Sequence, residues 1–110
     1  MLHESTLQER VAEQLRNNQA SCDNMLKMFS LFSNETRFKI LCVLKEGDFC
    51  VKDIVGLIGG KHSNISQQLK MLTLAGYLTK ERQERSMIYH LFDKKVKSTV
   101  EFLCAHLKEN

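Results

Sequence analysis

Apolar side chains over the first third of the chain recur in steps of three, four or seven, which is the spacing of one face of an α-helix. The members of this stripe are Leu7, Val11, Leu15, Cys22, Met25, Leu26, Phe29 and Phe32. The spacing predicts one long amphipathic helix over residues 6–32. Such a helix is longer than a small core requires, so part of its stripe is expected to meet a second subunit.

A second helix is predicted over residues 35–45. Asn34 precedes it as a preferred N-cap, and Gly47 follows as a stop signal. The intervening segment, FKILCVL, is apolar on all sides. This helix is therefore expected to be buried.

Residues 51–75 have the pattern of a helix-turn-helix. A short helix over residues 51–58 is followed by Gly59-Gly60, which can supply a tight turn, and by a helix over residues 62–75. The second of these helices has apolar positions at Ile65, Leu69 and Leu72. Its first turns carry small polar side chains, which suit contact with the edges of DNA bases.

The last third predicts a β-hairpin and a closing helix. Two alternating segments within residues 77–92 flank the charged tip Arg82-Gln83-Glu84-Arg85, as in the wing of a DNA-binding domain. Residues 94–108 then carry an apolar stripe at helical spacing. The predicted fold is mainly α with a small β-hairpin, in the order α-α-α-α-β-β-α. This is a winged helix-turn-helix, and residues 1–110 are expected to form a single domain.

Composition places the chain among ordinary globular proteins. The 110 residues are 43% hydrophobic and 26% charged, with a net charge of +3, which is compatible with a nucleic-acid partner. No apolar run is long enough for a bilayer, and the N-terminus lacks a signal-peptide pattern, so a cytoplasmic protein without a membrane partner is expected. The four cysteines are then expected to be reduced, and none forms a CxxC pair.

The ordered motifs resemble the ArsR/SmtB family of metal- and thiol-responsive repressors. The residues that carry the resemblance are FSNETRFKIL at 32–41, GDFCV at 47–51, SNISQQLK at 63–70, LAGYL at 74–78 and IYHL at 88–91. The resemblance implies a homodimer joined through its first and last helices, 1–32 and 94–108. It also implies repression of transcription from a DNA operator that the dimer leaves when an inducer binds.

Family position and helical phase predict the DNA contacts. The candidates in the second helix of the helix-turn-helix are His62, Ser63, Asn64, Ser66, Gln67, Gln68 and Lys70, and those of the wing are Arg82 and Arg85, with Lys61 and Lys80 as further phosphate contacts. The alternative is that a polar helix face and a charged tip are simply solvated. A two-fold dimer predicts a palindromic operator with half-sites about one helical turn apart.

The family senses through different sites, and two of them would bind a metal. Relatives with a thiolate site carry Cys-x-Cys at the third helix, whereas this chain has Cys50 followed by Lys52. Relatives with a last-helix site carry Asp-x-His and His-x-x-Glu. This chain offers Asp93, His106 and Glu109, with Lys95 in place of the first histidine. A divalent metal ion is the cofactor that such a site would hold.

A dithiol switch is the third possibility. In the sulfide- or persulfide-responsive branch of the family, one cysteine lies in the second helix and another in the last. Cys42 matches the first position, and Cys104 falls about one helical turn before the second. One alternative is that both are ordinary buried cysteines. Another is that Cys22, on the long first helix, approaches either of them, and the sequence does not choose among these pairings.

The sequence thus predicts a DNA-binding repressor released by thiol oxidation or persulfidation of Cys42 and Cys104. A zinc-type repressor and a winged helix used for protein interaction are the alternatives. An enzyme is not expected, because the chain has no nucleophile elbow, phosphate loop or compact acid–base pair.

Overall fold

The computed structural model describes residues 6–106, which divide into two compact units at Leu31 and Phe32. The first unit contains α1 (Leu7–Asn17) and nearly all of α2 (Gln19–Phe32). The second contains α3 (Glu35–Leu44), β1 (Phe49–Cys50), α4 (Val51–Ile58), α5 (His62–Leu74), β2 (Leu78–Gln83), β3 (Ser86–Leu91) and α6 (Lys94–His106). None of the helices in the described part of the chain is long and apolar enough to cross a membrane.

The predicted long first helix is wrong in one respect, because it is two helices that meet at Asn18. The Asn18 N–H donates to the Gln14 carbonyl at 2.9 Å and ends α1, and α2 begins at the next residue. Asparagine side chains compete for backbone hydrogen bonds and disfavour helix interiors. The apolar stripe also has no member between Leu15 and Cys22, so no side chain of the stripe stabilises a continuous helix there.

The second unit has the predicted winged helix-turn-helix fold. Asn34 caps α3, since its Oδ1 accepts from the Arg37 N–H at 2.9 Å. Gly59 and Gly60 form the turn with φ of 78° and 91°, values that residues with a side chain rarely adopt. The buried core joins α3, α4, α5, α6 and the sheet through Ile40, Leu41, Leu44, Ile54, Ile65, Leu69, Leu72, Leu78, Tyr89, Leu91, Val96 and Val100.

The wing is a three-stranded sheet, whereas the sequence predicts only a hairpin. The strand order is β1-β3-β2, all antiparallel, and β1 pairs with β3 through Phe49 opposite Tyr89 and Cys50 opposite Ile88. A strand of two residues is too short to produce an alternating pattern. Its pairing attaches the wing to the segment that leads into the helix-turn-helix.

Candidate nucleic-acid interface and thiol pair

Helix α5, the second helix of the helix-turn-helix, has one buried face and one exposed face. Ile65, Leu69 and Leu72 are buried against the domain. Ser63 and Gln67 lie on the opposite side of the helix and are exposed, as is Lys70. Their side chains are small or extended polar groups with no partner in the core. They are therefore accessible to a ligand as large as duplex DNA.

The other candidates of α5 lie on its flanks. His62 Nδ1 and Ser66 Oγ share a hydrogen bond of 3.4 Å, which links two neighbouring turns of one flank. Asn64 is exposed on the other flank. Gln68 beside it is half-buried, and its Oε1 is buried without a hydrogen-bond partner. An amide in that position is poorly placed to contact a base edge.

The beginning of α5 is open to anions. Lys61 occupies the N-cap position and no side chain caps the helix there. The first amides of a helix point outward and carry partial positive charge, which favours phosphate. Lys61 and His62 are both exposed at this end. The end of the helix therefore combines backbone donors with a cationic side chain.

The wing presents basic side chains at and near its tip. Lys80 and Arg82 lie on β2, Arg85 lies in the turn, and all three are exposed. Glu84 forms the turn with a φ of 55°, a left-handed conformation that costs energy for a residue other than glycine. The tip is thus held in a defined shape with its arginines outward.

Sequence reasoning missed a contact that fixes the base of the wing. His90 on β3 donates from Nδ1 to the Asp48 carboxylate at 2.8 Å, across 42 positions of the chain. Asp48 lies directly before β1, so this side-chain contact continues the β1–β3 pairing by one further residue pair. The sequence shows that both side chains can form hydrogen bonds, but their proximity depends on the pairing of β1 with β3.

The helices that carry Cys42 and Cys104 pack against each other. Cys42 lies on α3 and Cys104 near the end of α6, and both are half-buried free thiols. Burial raises the pKa of Cys42 to about 11, with smaller contributions in the same direction from Cys104 and an opposing one from Lys45.

The raised pKa predicts slow alkylation of Cys42. Because the neutral thiol is favoured, Cys42 stays protonated as the pH rises past 9.0 and ionises only near 11. At about pH 8 its thiolate fraction, and hence its rate with iodoacetamide, should be about 100-fold below that of an unperturbed cysteine. Mass-spectrometric peptide mapping measures this rate. A rate equal to that of a free peptide cysteine at this pH would contradict the raised pKa of Cys42.

Within a single chain, the candidate metal ligands Asp93 and His106 make other contacts. Asp93 Oδ1 accepts from the Val96 N–H at 2.9 Å and caps α6. His106 lies thirteen residues further on, about 20 Å along the helix, with its ring centroid 4.0 Å from that of Phe102. Its Nδ1 donates to the Phe102 carbonyl at 3.0 Å. Glu109 lies outside the described residues, and within 6–106 no three His, Cys, Asp or Glu side chains are grouped for a metal.

The candidate thiolate metal site at the start of α4, the third helix predicted from the sequence, is also incomplete in the structure. Cys50 occupies the N-cap position of α4 but its side chain makes no capping hydrogen bond. Lys52 is exposed to solvent. A thiolate partner in the place of Lys52 is what the metal-binding pattern would need.

Comparison with known proteins gives a consistent set of relatives. Residues 34–80 match the family model described as "Bacterial regulatory protein, arsR family". A cadmium resistance transcriptional regulatory protein CadC homolog from Staphylococcus aureus is 35% identical over 88 residues, which are 78% of this chain and 72% of that protein.

Solved structures agree with the sequence relatives. The transcriptional repressor BigR from Xylella fastidiosa has a TM-score of 0.74 at 26% identity, covering 90% of this chain and 98% of that one. Reduced HlyU from Vibrio cholerae has a TM-score of 0.72 at 25% identity, covering 88% and 99%. These similarities cover the helix-turn-helix, the wing and the helices on both sides of them.

Proposed function

Because the chain belongs to the ArsR/SmtB family of winged-helix transcriptional repressors, we propose that it binds an operator as a homodimer and leaves it when Cys42 and Cys104 are oxidised or persulfidated. Ser63 and Gln67 contact base edges in the major groove. Lys70 and the start of α5 contact phosphates, and Arg82 and Arg85 of the wing contact phosphates or the minor groove.

Exposed apolar side chains on α1 and α6 support the homodimer. Leu7, Val11 and Leu15 recur every four residues on α1, and each is exposed. Phe102 of α6 is also exposed. Exposed apolar residues that recur along one face of a helix usually meet another protein surface. A second copy that covers them gives a two-fold dimer, whose operator is a palindrome with half-sites about one helical turn apart.

The packing of α3, which carries Cys42, against α6, which carries Cys104, is the observation that supports the thiol signal. A bridge between the two sulfur atoms would link these two helices covalently. α3 packs against α5 as well as α6, so a change in the pairing of these helices acts directly on the recognition helix. The bridged form is the one that leaves DNA.

The test of this signal is operator binding with the thiols reduced and modified. A duplex is first selected from a random pool with reduced protein. Treatment with sodium tetrasulfide is then expected to weaken binding at least about tenfold, because the differential affinity of two allosteric states is typically of that size. Dithiothreitol should restore binding, and a gel shift or fluorescence anisotropy measures both steps.

Cysteine variants decide whether the pair is responsible. Cys42→Ser and Cys104→Ser should each bind the duplex but ignore tetrasulfide, whereas the control Cys50→Ser should respond like the natural chain. Release of DNA by tetrasulfide from Cys42→Ser would sink the dithiol proposal. Release by zinc or cadmium, cancelled by His106→Ala, would favour the metal-responsive alternative instead, to which the cadmium-resistance relative points.

Salt dependence separates DNA binding from a role in protein interaction. A protein that contacts several phosphates loses affinity steeply as salt rises, since it releases counterions from the duplex. An affinity for the selected duplex that does not change between low and moderate salt would contradict phosphate contact by α5 and the wing.

A further inference from the structure

A side-chain contact between Asp48 and His90 strengthens a very short strand pairing at the base of the wing. His90 Nδ1 lies 2.8 Å from Asp48 Oδ1, and each of the two side chains is about half exposed. β1 pairs with β3 through Phe49 opposite Tyr89, and the same register places Asp48 opposite His90. The contact therefore adds a side-chain link to a strand of two residues.

β1 is also the connection between the wing and the helix-turn-helix. Its last residue, Cys50, is the N-cap of α4, and α4 begins at Val51. α4 packs against β1 and β3, and it packs against α5 as well. The position of β3 relative to α4 therefore depends on how firmly β1 is paired with β3. A contact that strengthens this pairing fixes the wing relative to α5.

We propose that Asp48 and His90 are positioning residues for DNA binding, because their contact holds the wing where Arg82 and Arg85 meet the duplex. The inference rests on the proposed contact of the wing with DNA and adds the residues that make that contact effective. A segment that is ordered before binding loses less conformational freedom when it binds. A wing fixed by Asp48 and His90 therefore binds more tightly than a wing without their contact.

The negative charge of Asp48 gives the proposal a definite sign. A carboxylate repels phosphate, so its removal would by itself raise the affinity for duplex DNA. Glu81 of β2 is the matched control, because it is exposed, carries the same charge and lines the same groove of about 520 Å³ as Asp48 and His90. Removal of Asp48 should lower the affinity for DNA, whereas removal of Glu81 should not.

The test is the affinity of each full-length variant for a duplex selected with the reduced natural chain, measured by fluorescence anisotropy. Asp48→Ala and His90→Ala should each weaken binding about tenfold, which is about threefold for each of the two wings of a dimer, since exposed pairs contribute modestly. The double variant should bind no more weakly than either single variant, because both residues act through one contact. Asp48→Asn should stay within about twofold of the natural chain, since its amide oxygen still accepts the hydrogen bond.

The wing arginines separate positioning from a general loss of stability. In a chain with Arg82→Ala and Arg85→Ala, the further change Asp48→Ala should have no effect, because the wing no longer contributes to binding. A substitution that only destabilised the domain would lower the affinity equally in both backgrounds. Because Asp48 and His90 are half exposed, the variants should fold, and circular dichroism checks this at the temperature of the binding measurement.

Three results would overturn the inference. Asp48→Ala could bind like the natural chain while the arginine variant binds weakly, it could lose affinity equally in both backgrounds, or it could gain affinity as Glu81→Ala is free to do. Failure of the proposed wing contact is distinguishable, because the arginine variant itself would then bind like the natural chain, which removes the basis of the inference as well. All measurements use reduced protein, so the proposed thiol signal does not enter them.

Discussion

The Ser63→Ala, Gln67→Ala double variant is expected to bind a selected operator about 100-fold more weakly than the natural chain, because each good polar contact to a base edge contributes about 1–3 kcal/mol of discrimination. Both side chains are exposed and point away from the buried face of α5. Affinity for unrelated duplex DNA should change little, since phosphate contacts supply it. Competition between operator and random DNA in fluorescence anisotropy measures the two affinities together.

Gln68→Ala is the matched control for this variant. It removes the same side chain one position further along the helix, where the amide is half-buried and its Oε1 has no partner. We expect little loss of discrimination from it. Lys70→Ala should weaken binding to all sequences alike and reduce the salt slope by about one. Equal discrimination by the double variant and the natural chain would refute the assignment of Ser63 and Gln67.

Leu69→Ala is expected to lower the free energy of unfolding by about 3 kcal/mol and the melting temperature by about 15 °C. Leu69 is completely buried, and its truncation leaves a cavity between α5 and the rest of the domain. Chemical denaturation followed by circular dichroism measures the loss. The affinity for the operator should also be lower at temperatures where this loss of stability leaves the variant partly unfolded.

Leu74→Ala provides the comparison on the same helix. Leu74 is 79% exposed, so its truncation should change the free energy of unfolding by less than about 0.5 kcal/mol. A similar loss in the two leucine variants would mean that α5 does not bury the face containing Leu69.

The sequence predicted the order of helices and strands in the second unit because that order depends on local rules. Asn34 before α3 and the glycines at 59 and 60 act within a few residues of where they stand. The same holds for the apolar spacing of α5. The prediction failed at Asn18, where two adjacent asparagines and a gap in the stripe outweighed the helical pattern on either side.

The site was harder to predict because it is made of pairings between distant segments. β1 is a strand only because Phe49 and Cys50 pair with β3, and the contact of Asp48 with His90 follows from that pairing. The relation of Cys42 to Cys104 depends on how α6 packs against α3, which no local spacing determines. The exposure of Gln68 likewise depends on its angular position around the axis of α5, where a few tens of degrees separate an exposed side chain from a half-buried one.

The position of α3 also has a consequence for how the domain can vary. This single helix of ten residues contacts α4, α5 and α6, and it carries Cys42 between the buried residues Leu41 and Leu44. A substitution on α3 therefore alters the packing of the recognition helix and the surroundings of the thiol at the same time. In the proposed function, sensitivity to thiol modification and affinity for DNA therefore both depend on this one helix. Variation that tunes one without the other has to occur on α6 or at the exposed end of α5.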